Sequence, residues 1–276
     1  RLLSPVPSSA FDITPRHAEM GNYLVDSVGH YALDLDDEGP VLSPGSQVAP
    51  LTDAAYRRLE RKIESEYSPF RPEGEPAEPV SADNAFDKCA LRGGHDADDE
   101  YLLLDGIAGF VHDHEDAGSV LRLTWKGRMW LTEGDYIRSL PKFHNSLMSI
   151  CDGEAGPIPK LASLEFLYER EGSTFLQIRV SDYNGVHWRR NIIWKKGAWF
   201  LFVDAVDFLR EADYVIMLFW RLLGRVRSSA RSTTSRQDGV LFRITHGDLS
   251  RKSLAREPVR EIRIHNGTFH RDYPHA

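Results

Sequence analysis

The spacing of apolar and polar positions changes character near residue 86. Upstream the signals are sparse. Residues 8–28 predict a short helix, with Pro15 in its first turn and His17, Met20, Tyr23, Leu24 and Val28 roughly on one face. Residues 38–50 are rich in Gly, Pro and Ser and predict a loop. Thr52 reads as the N-cap of a helix through about Tyr67, with Tyr56, Leu59 and Ile63 at i, i+3 and i+7. Residues 68–84 carry four prolines and several acids, which predicts an extended linker or an excursion over a surface. From Phe86 onward the chain reads as short strands. Tyr101–Leu104 is a compact apolar run. Ser119–Trp125 alternates Val120, Arg122 and Thr124 with Leu121, Leu123 and Trp125, then turns at Lys126-Gly127 into Met129–Leu131. Phe175–Val180 and Trp188–Trp194 are strand-like, Lys195–Gly197 is a turn, and Trp199–Val203 is the return strand. Val240–Thr245 and Glu261–His265 add two more.

Many β-rich runs separated by turn residues predict a mostly β protein, a large antiparallel β-sandwich with short N-terminal helices. The division is a helical and linker segment over 1–84 and the sandwich over 85–276. No internal repeat of fixed period is present. Trp194, Trp199 and Phe202 are expected in the core. Alternation places Trp188 and Arg190 on one strand face and Arg189 on the other, which reads as a mixed sheet surface.

Composition adds exclusions. The 276 residues are 41% hydrophobic and 27% charged, an ordinary globular profile. It excludes a collagen-like chain, a wholly disordered chain and a disulfide-stapled miniprotein. The most apolar stretch, Tyr214–Leu223, is too short for a membrane span and carries Arg221. With 34 Lys+Arg against 41 Asp+Glu, the net charge of −7 argues against general nucleic-acid binding. Cys89 and Cys151 can pair or stay free, and no CxxC offers zinc or redox chemistry. The chain starts at Arg1 without a signal-like apolar stretch and reads as a fragment or processed form. Arg221, Arg225, Arg227, Arg231 and Arg236 lie in a Ser/Thr-rich stretch that reads as a solvated loop, or as a loop attracting an anionic polysaccharide. Asn266-Gly-Thr268 matches a glycosylation acceptor, as a single chance match would.

The densest chemistry is Gly109-Phe-Val-His112-Asp113-His114-Glu115-Asp116-Ala-Gly118-Ser119. In a strand, His112 and His114 would share a face. Glu133-Gly-Asp135-Tyr136 and His144-Asn145 follow. Two imidazoles on one face, a carboxylate from the next hairpin arm and a third imidazole could close a zinc site, since zinc takes His nitrogen and Asp or Glu oxygen. Oxygen-only metals such as calcium would not select so many histidines. In the plainer reading the histidines have ordinary hydrogen-bond partners, and Asp113, Glu115 and Asp116 cover a solvated loop.

Taken in order, Phe86-Asp-Lys-Cys-Ala-Leu-Arg92, Tyr101-Leu-Leu-Leu-Asp-Gly106, the His112-to-Ser119 cluster, Gly127-Arg-Met-Trp-Leu-Thr-Glu133-Gly-Asp135-Tyr136, His144-Asn145, Arg190-Asn-Ile-Ile, Gly197-Ala-Trp199 and Val203-Asp204-Ala-Val206 resemble the β-domain of heparinase II/III-like polysaccharide lyases. The similarity covers roughly residues 86–220. It implies an N-terminal (α/α) toroid joined to antiparallel sheets, with only the last toroid helices within residues 1–67. It implies β-elimination on a uronic-acid-containing anionic polysaccharide such as a glycosaminoglycan or alginate, and a periplasmic or extracellular location. It makes His112 the catalytic histidine facing the cleft. It makes His114 and His144 ligands of a structural zinc ion, with Glu133 or Asp135 as the acidic ligand and Asn145 supporting His144. The family's catalytic tyrosine is not assigned to Tyr23, Tyr56 or any other tyrosine here. Two competing readings are a non-catalytic carbohydrate-binding or supporting β-sandwich and a cupin-like metal enzyme. The cupin pattern wants a glutamate three or four residues after the second histidine, where this chain has Ala117 and Gly118.

Overall fold

The computed structural model describes residues 45–51, 53–67, 80–108, 114–133, 140–229 and 231–245. The helix expected within 8–28, the Thr52 cap, most of the 68–84 linker and the Glu261–His265 strand lie outside them. The helix α1, Asp53–Tyr67, forms where its apolar period predicts it, and Leu59 is buried. The Tyr56 hydroxyl donates to the carbonyl of Val80, tying this helix to the turn that precedes the next strand.

Five strands follow one another in space as in sequence: β1 (Gly45–Pro50), β2 (Phe86–Arg92), β3 (Tyr101–Asp105), β4 (Val120–Trp125) and β5 (Arg128–Thr132), all antiparallel. The β4–β5 hairpin closes on Lys126 and Gly127, both at positive φ (55° and 65°), the backbone twist that a two-residue hairpin turn needs. A 3-10 turn, Pro141–Phe143, leads to a small sheet of β6 (Leu147–Cys151), β7 (Glu154–Ala155) and β12 (Tyr214–Leu218), in the order β12-β6-β7. The second large sheet, β11-β10-β9-β8, comprises β8 (Ser163–Arg170), β9 (Ser173–Val180), β10 (Val186–Lys195) and β11 (Trp199–Phe208). Last come β13 (Arg225–Ser228), β14 (Ser232–Gln237) and β15 (Val240–Thr245) as a second three-stranded sheet.

The core lies between the five-stranded and four-stranded sheets. Period-two alternation puts Cys89 and Leu91 of β2 and Leu102 and Leu104 of β3 against Leu176, Ile178 and Val180 of β9 and Trp188, Ile192 and Trp194 of β10. Val120 and Leu123 of β4 join them because a bulge in the β3–β4 pairing, between Leu103 and Leu104, shifts the alternation by one residue. Trp130, Trp188 and Trp194 are each fully buried, worth about 4–6 kcal/mol apiece in transfer free energy before ordering costs. Trp130 also stacks on Phe242 with centroids 5.3 Å apart, joining the first sheet to β15. Ala90, Tyr101, Leu103 and Leu121 form a smaller buried cluster on the other face of the five-stranded sheet. The architecture is the expected antiparallel β-sandwich.

Several local expectations are corrected. The loop read at 38–50 contains β1, whose Ser46, Gln47 and Val48 pair with Leu91, Ala90 and Cys89. The arginine-rich stretch is not a loop: Arg225 and Arg227 sit in β13, Arg236 in β14, and Ser228 and Thr233 hydroxyls hydrogen-bond across the pair at 2.9 Å. Trp199 is 49% exposed, because β11 turns Phe200 and Phe202 inward and so turns Trp199 out. Arg190 is not on a mixed surface but fully buried beside Trp188, while Arg189 faces outward and pairs with Asp207. Both cysteines are free and buried. Among the described residues no helix is long and apolar enough to cross a membrane.

Candidate metal centre

Three chain segments converge where β3, β4 and β5 meet the 3-10 turn. The first is 114–119. His114, Glu115 and Asp116 run on irregular backbone rather than in a strand, so strand alternation does not set the direction of His114. Ala117 and Gly118 then turn the chain, with Gly118 at φ +76°. This turn is fastened to the end of β3: the Gly118 amide donates to the Asp105 carbonyl (2.8 Å) and the Asp105 amide to the Ser119 carbonyl (3.1 Å). The second segment is Glu133, directly after β5. The third is His144, which ends the 3-10 turn and donates its backbone amide to the Pro141 carbonyl at 3.0 Å.

The side chains of His114, Asp116, Glu133 and His144 bring one ligand atom each to within 4.8 Å of all the others. The His114 and His144 rings lie 5.5 Å apart. His144 is fully buried, and its Nδ1 is 3.1 Å from Glu133 Oε1. Asp116 is also buried, and its Oδ1 has no hydrogen-bond partner among the described residues. A buried carboxylate oxygen without a partner is costly unless a proton or a cation satisfies it. Burial pushes the Asp116 carboxyl well above the usual range, and the charges of Asp105 and Glu133 add to the shift.

The wider surroundings are acidic as well. Burial pushes Asp105 up to about 6, against the pull of Lys88 and the Ile107 amide. Burial also works against the Lys88 charge, but Asp105 and Asp87, both 2.8 Å from its Nζ, together hold its pKa above the usual lysine range.

Two imidazoles and two carboxylates match the donor set zinc prefers, and an oxygen-seeking ion would gain little from the imidazoles. Tetrahedral zinc with arms of about 2.0–2.2 Å needs ligand atoms about 3.5 Å apart. The present separations, up to 4.8 Å, therefore need to contract by about 1.3 Å at most. The orphaned Asp116 oxygen fits the same cation.

Of the residues singled out in the sequence, His114, Glu133 and His144 stand together; His112 and Asp135 lie outside the described residues. Asn145, fully buried, donates from Nδ2 to the carbonyls of Val120 (2.8 Å) and Thr132 (3.0 Å) and accepts the Arg221 amide at 2.6 Å. It thus fastens the residue after His144 to both strands that flank the site. Asp116 was read as part of a solvated acidic loop and is instead buried at the centre. The available signal was its place immediately before the small residues Ala117-Gly118, where a close turn leaves no room for solvent. Arg190, also missed, reaches both loops of the site from the opposite sheet: its Nη1 donates to the Gly118 carbonyl (3.0 Å) and the Asn145 carbonyl (2.9 Å).

No protein-family model and no curated protein matches this sequence. Solved structures do resemble it. The heparan sulfate lyase HepC from Pedobacter heparinus superposes with a TM-score of 0.50 at 15% identity, over 87% of this chain and 40% of that one. A heparinase III superposes with a TM-score of 0.49 at 14% identity, over 75% of this chain and 36% of that one. The chain therefore spans about two fifths of the length of the structures it resembles, and the HepC likeness is one of fold.

Proposed function

We propose that this chain is the β-sheet part of a polysaccharide lyase that cleaves a uronic-acid-containing anionic polysaccharide by β-elimination, with a structural zinc site at His114, Asp116, Glu133 and His144. The observation that carries the reading is the convergence of those four side chains within a fold shared with a heparan sulfate lyase. In this reading residues 1–84 include the end of an N-terminal toroid and 85–276 form the sheet domain, which borrows β1 from the first part. The toroid supplies the other half of the cleft, and the protein works in the periplasm or outside the cell.

β-Elimination removes the proton at C5 of a uronate and expels the oxygen at C4. The proton is weakly acidic because the developing carbanion lies beside an ionised carboxylate. The main electrostatic task is to neutralise that carboxylate. His112 stands two residues before the ligand His114 and is the group assigned to the cleft. An imidazole can take the proton, return one to the leaving oxygen, or donate to the carboxylate, since its ordinary pKa is about 6.5. When bound, zinc supplies charge that joins three loops. Asp116, Glu133 and His144 hold the position of the His114 loop, and Asn145 holds His144.

The test uses the protein with its natural upstream region. Zinc should co-purify and fall in His114→Ala. Heparan sulfate, alginate and other uronans should be screened for the ultraviolet absorbance of the unsaturated uronate product. His112→Ala should lose turnover while keeping its unfolding temperature. Absence of product from every uronan, or wild-type turnover in His112→Ala, would overturn the catalytic assignment.

A further inference from the structure

We propose that Arg190 is a positioning residue for the metal centre, setting the separation between the loop that carries Asp116 and the loop that carries His144; this rests on the zinc reading above. Alternation in β10 turns Arg190 into the sandwich between Trp188 and Ile192, where it is fully buried. Its charge is matched by Asp204, directly opposite on β11: Nε lies 2.8 Å from Oδ1 and Nη2 lies 3.4 Å from Oδ2. Trp188 Nε1 donates to the same Oδ1 at 2.8 Å, which holds the carboxylate still. The rings of Trp188, Trp220 and Phe202 surround the guanidinium with centroids at 4.7, 5.4 and 5.8 Å.

The remaining nitrogen, Nη1, is given wholly to two main-chain oxygens of the site. The Gly118 carbonyl stands two residues after Asp116, and the Asn145 carbonyl one residue after His144. A single planar group with a fixed fork therefore spaces two loops that no strand pairing joins to each other directly. The Asn145 carbonyl also accepts the Val120 amide at 3.2 Å, so the same point reaches β4. Stability alone does not account for this arrangement. A buried ion pair can often be replaced by apolar residues of similar volume without loss, whereas such a pair can fix one arrangement among several. Here the arrangement fixed is that of the ligand loops.

The test compares wild type with Arg190→Lys and with the double variant Arg190→Met/Asp204→Leu, which removes the pair without stranding a charge. Zinc affinity is read by competition with a chromophoric chelator, and site geometry by the visible spectrum of the cobalt(II)-substituted protein. Unfolding temperature is read in the metal-free state. The expected result is a loss of at least about tenfold in zinc affinity in both variants. The cobalt band should change shape or intensity, and the double variant should melt in the metal-free state close to wild type. Lysine keeps the charge but cannot reach Asp204 and both carbonyls together, so it gives no full rescue. Wild-type affinity and cobalt spectrum in the two variants would overturn the role of Arg190 alone. A wild-type protein that binds neither zinc nor cobalt would overturn the metal reading with it.

Discussion

Gly118 is the residue where backbone, core and site meet, and Gly118→Ala is a quantitative probe of that junction. Its φ of +76° is left-handed, which costs an alanine about 1 kcal/mol. A Cβ there would lie 3.1 Å from Trp188 Cζ3, 3.2 Å from Val180 Cγ2 and 3.3 Å from Trp188 Cη2. Both neighbours are buried in the sandwich core, and an indole cannot flex at its ring atoms, so relief requires moving the ring or the turn. Overpacking of that kind costs about 1–3 kcal/mol. The sum is about 2–4 kcal/mol, which for a domain of this size lowers the melting temperature by about 5–15 °C. The assay is thermal unfolding of the metal-free protein followed by circular dichroism. Gly239→Ala is the internal control: its φ is +85°, but nothing lies within 4 Å of its Cβ position, so only the backbone cost applies. If Gly118→Ala destabilises no more than Gly239→Ala, the packing argument is refuted.

Two further outcomes are expected. Asp105 has an ordinary unfolded pKa of about 3.9 and a folded value pushed up to about 6, so the folded state binds its proton more tightly between those values. Stability of the metal-free protein should therefore fall as pH rises through that window, by up to about 3 kcal/mol, and Asp105→Asn should flatten the slope in urea titrations; a slope that Asp105→Asn leaves unchanged contradicts this. Cys89 is fully buried and its thiol is pushed up to about 12 by burial, with the Glu169 charge adding. It should resist Ellman's reagent at mildly alkaline pH until the protein is unfolded, and prompt labelling of the native protein would contradict its place in the core.

The strands that could be read from sequence are those with one apolar face and a clear turn beside them, such as β4–β5 around Lys126-Gly127 and β9–β10–β11. The strands that could not be read lack that contrast. β8 exposes Phe166 and Tyr168 on its outer side, so apolar residues do not mark its core face. β13 and β14 are built from Arg, Ser and Thr whose hydroxyls pair across strands, a composition shared with loops. The same limit applied at the site. Imidazoles are rare enough to mark His114 and His144, but nothing in residue type separates Asp116 from Asp113 or Glu115. Burial, set by the turn at Gly118, separates Asp116 from the half-buried Glu115. Arg190 was hidden because Trp-Arg-Arg reads equally as an outward or an inward register, and only the partner at Asp204 decides.

The free side of β5 is not left open. The Thr132 amide donates to the Arg221 carbonyl (3.3 Å), the Leu223 amide to the Trp130 carbonyl (3.0 Å), and the Gln237 side chain to the Met129 carbonyl (2.6 Å). Trp130 is roofed at the same place by Phe242. Residues 221–242 thus act as a guard rail against strand-by-strand growth between molecules. A chain cut before Arg221 would keep all five strands of the first sheet yet expose that rim with a bare indole beside it. Such a fragment should scatter light and pellet at concentrations where the whole chain stays clear.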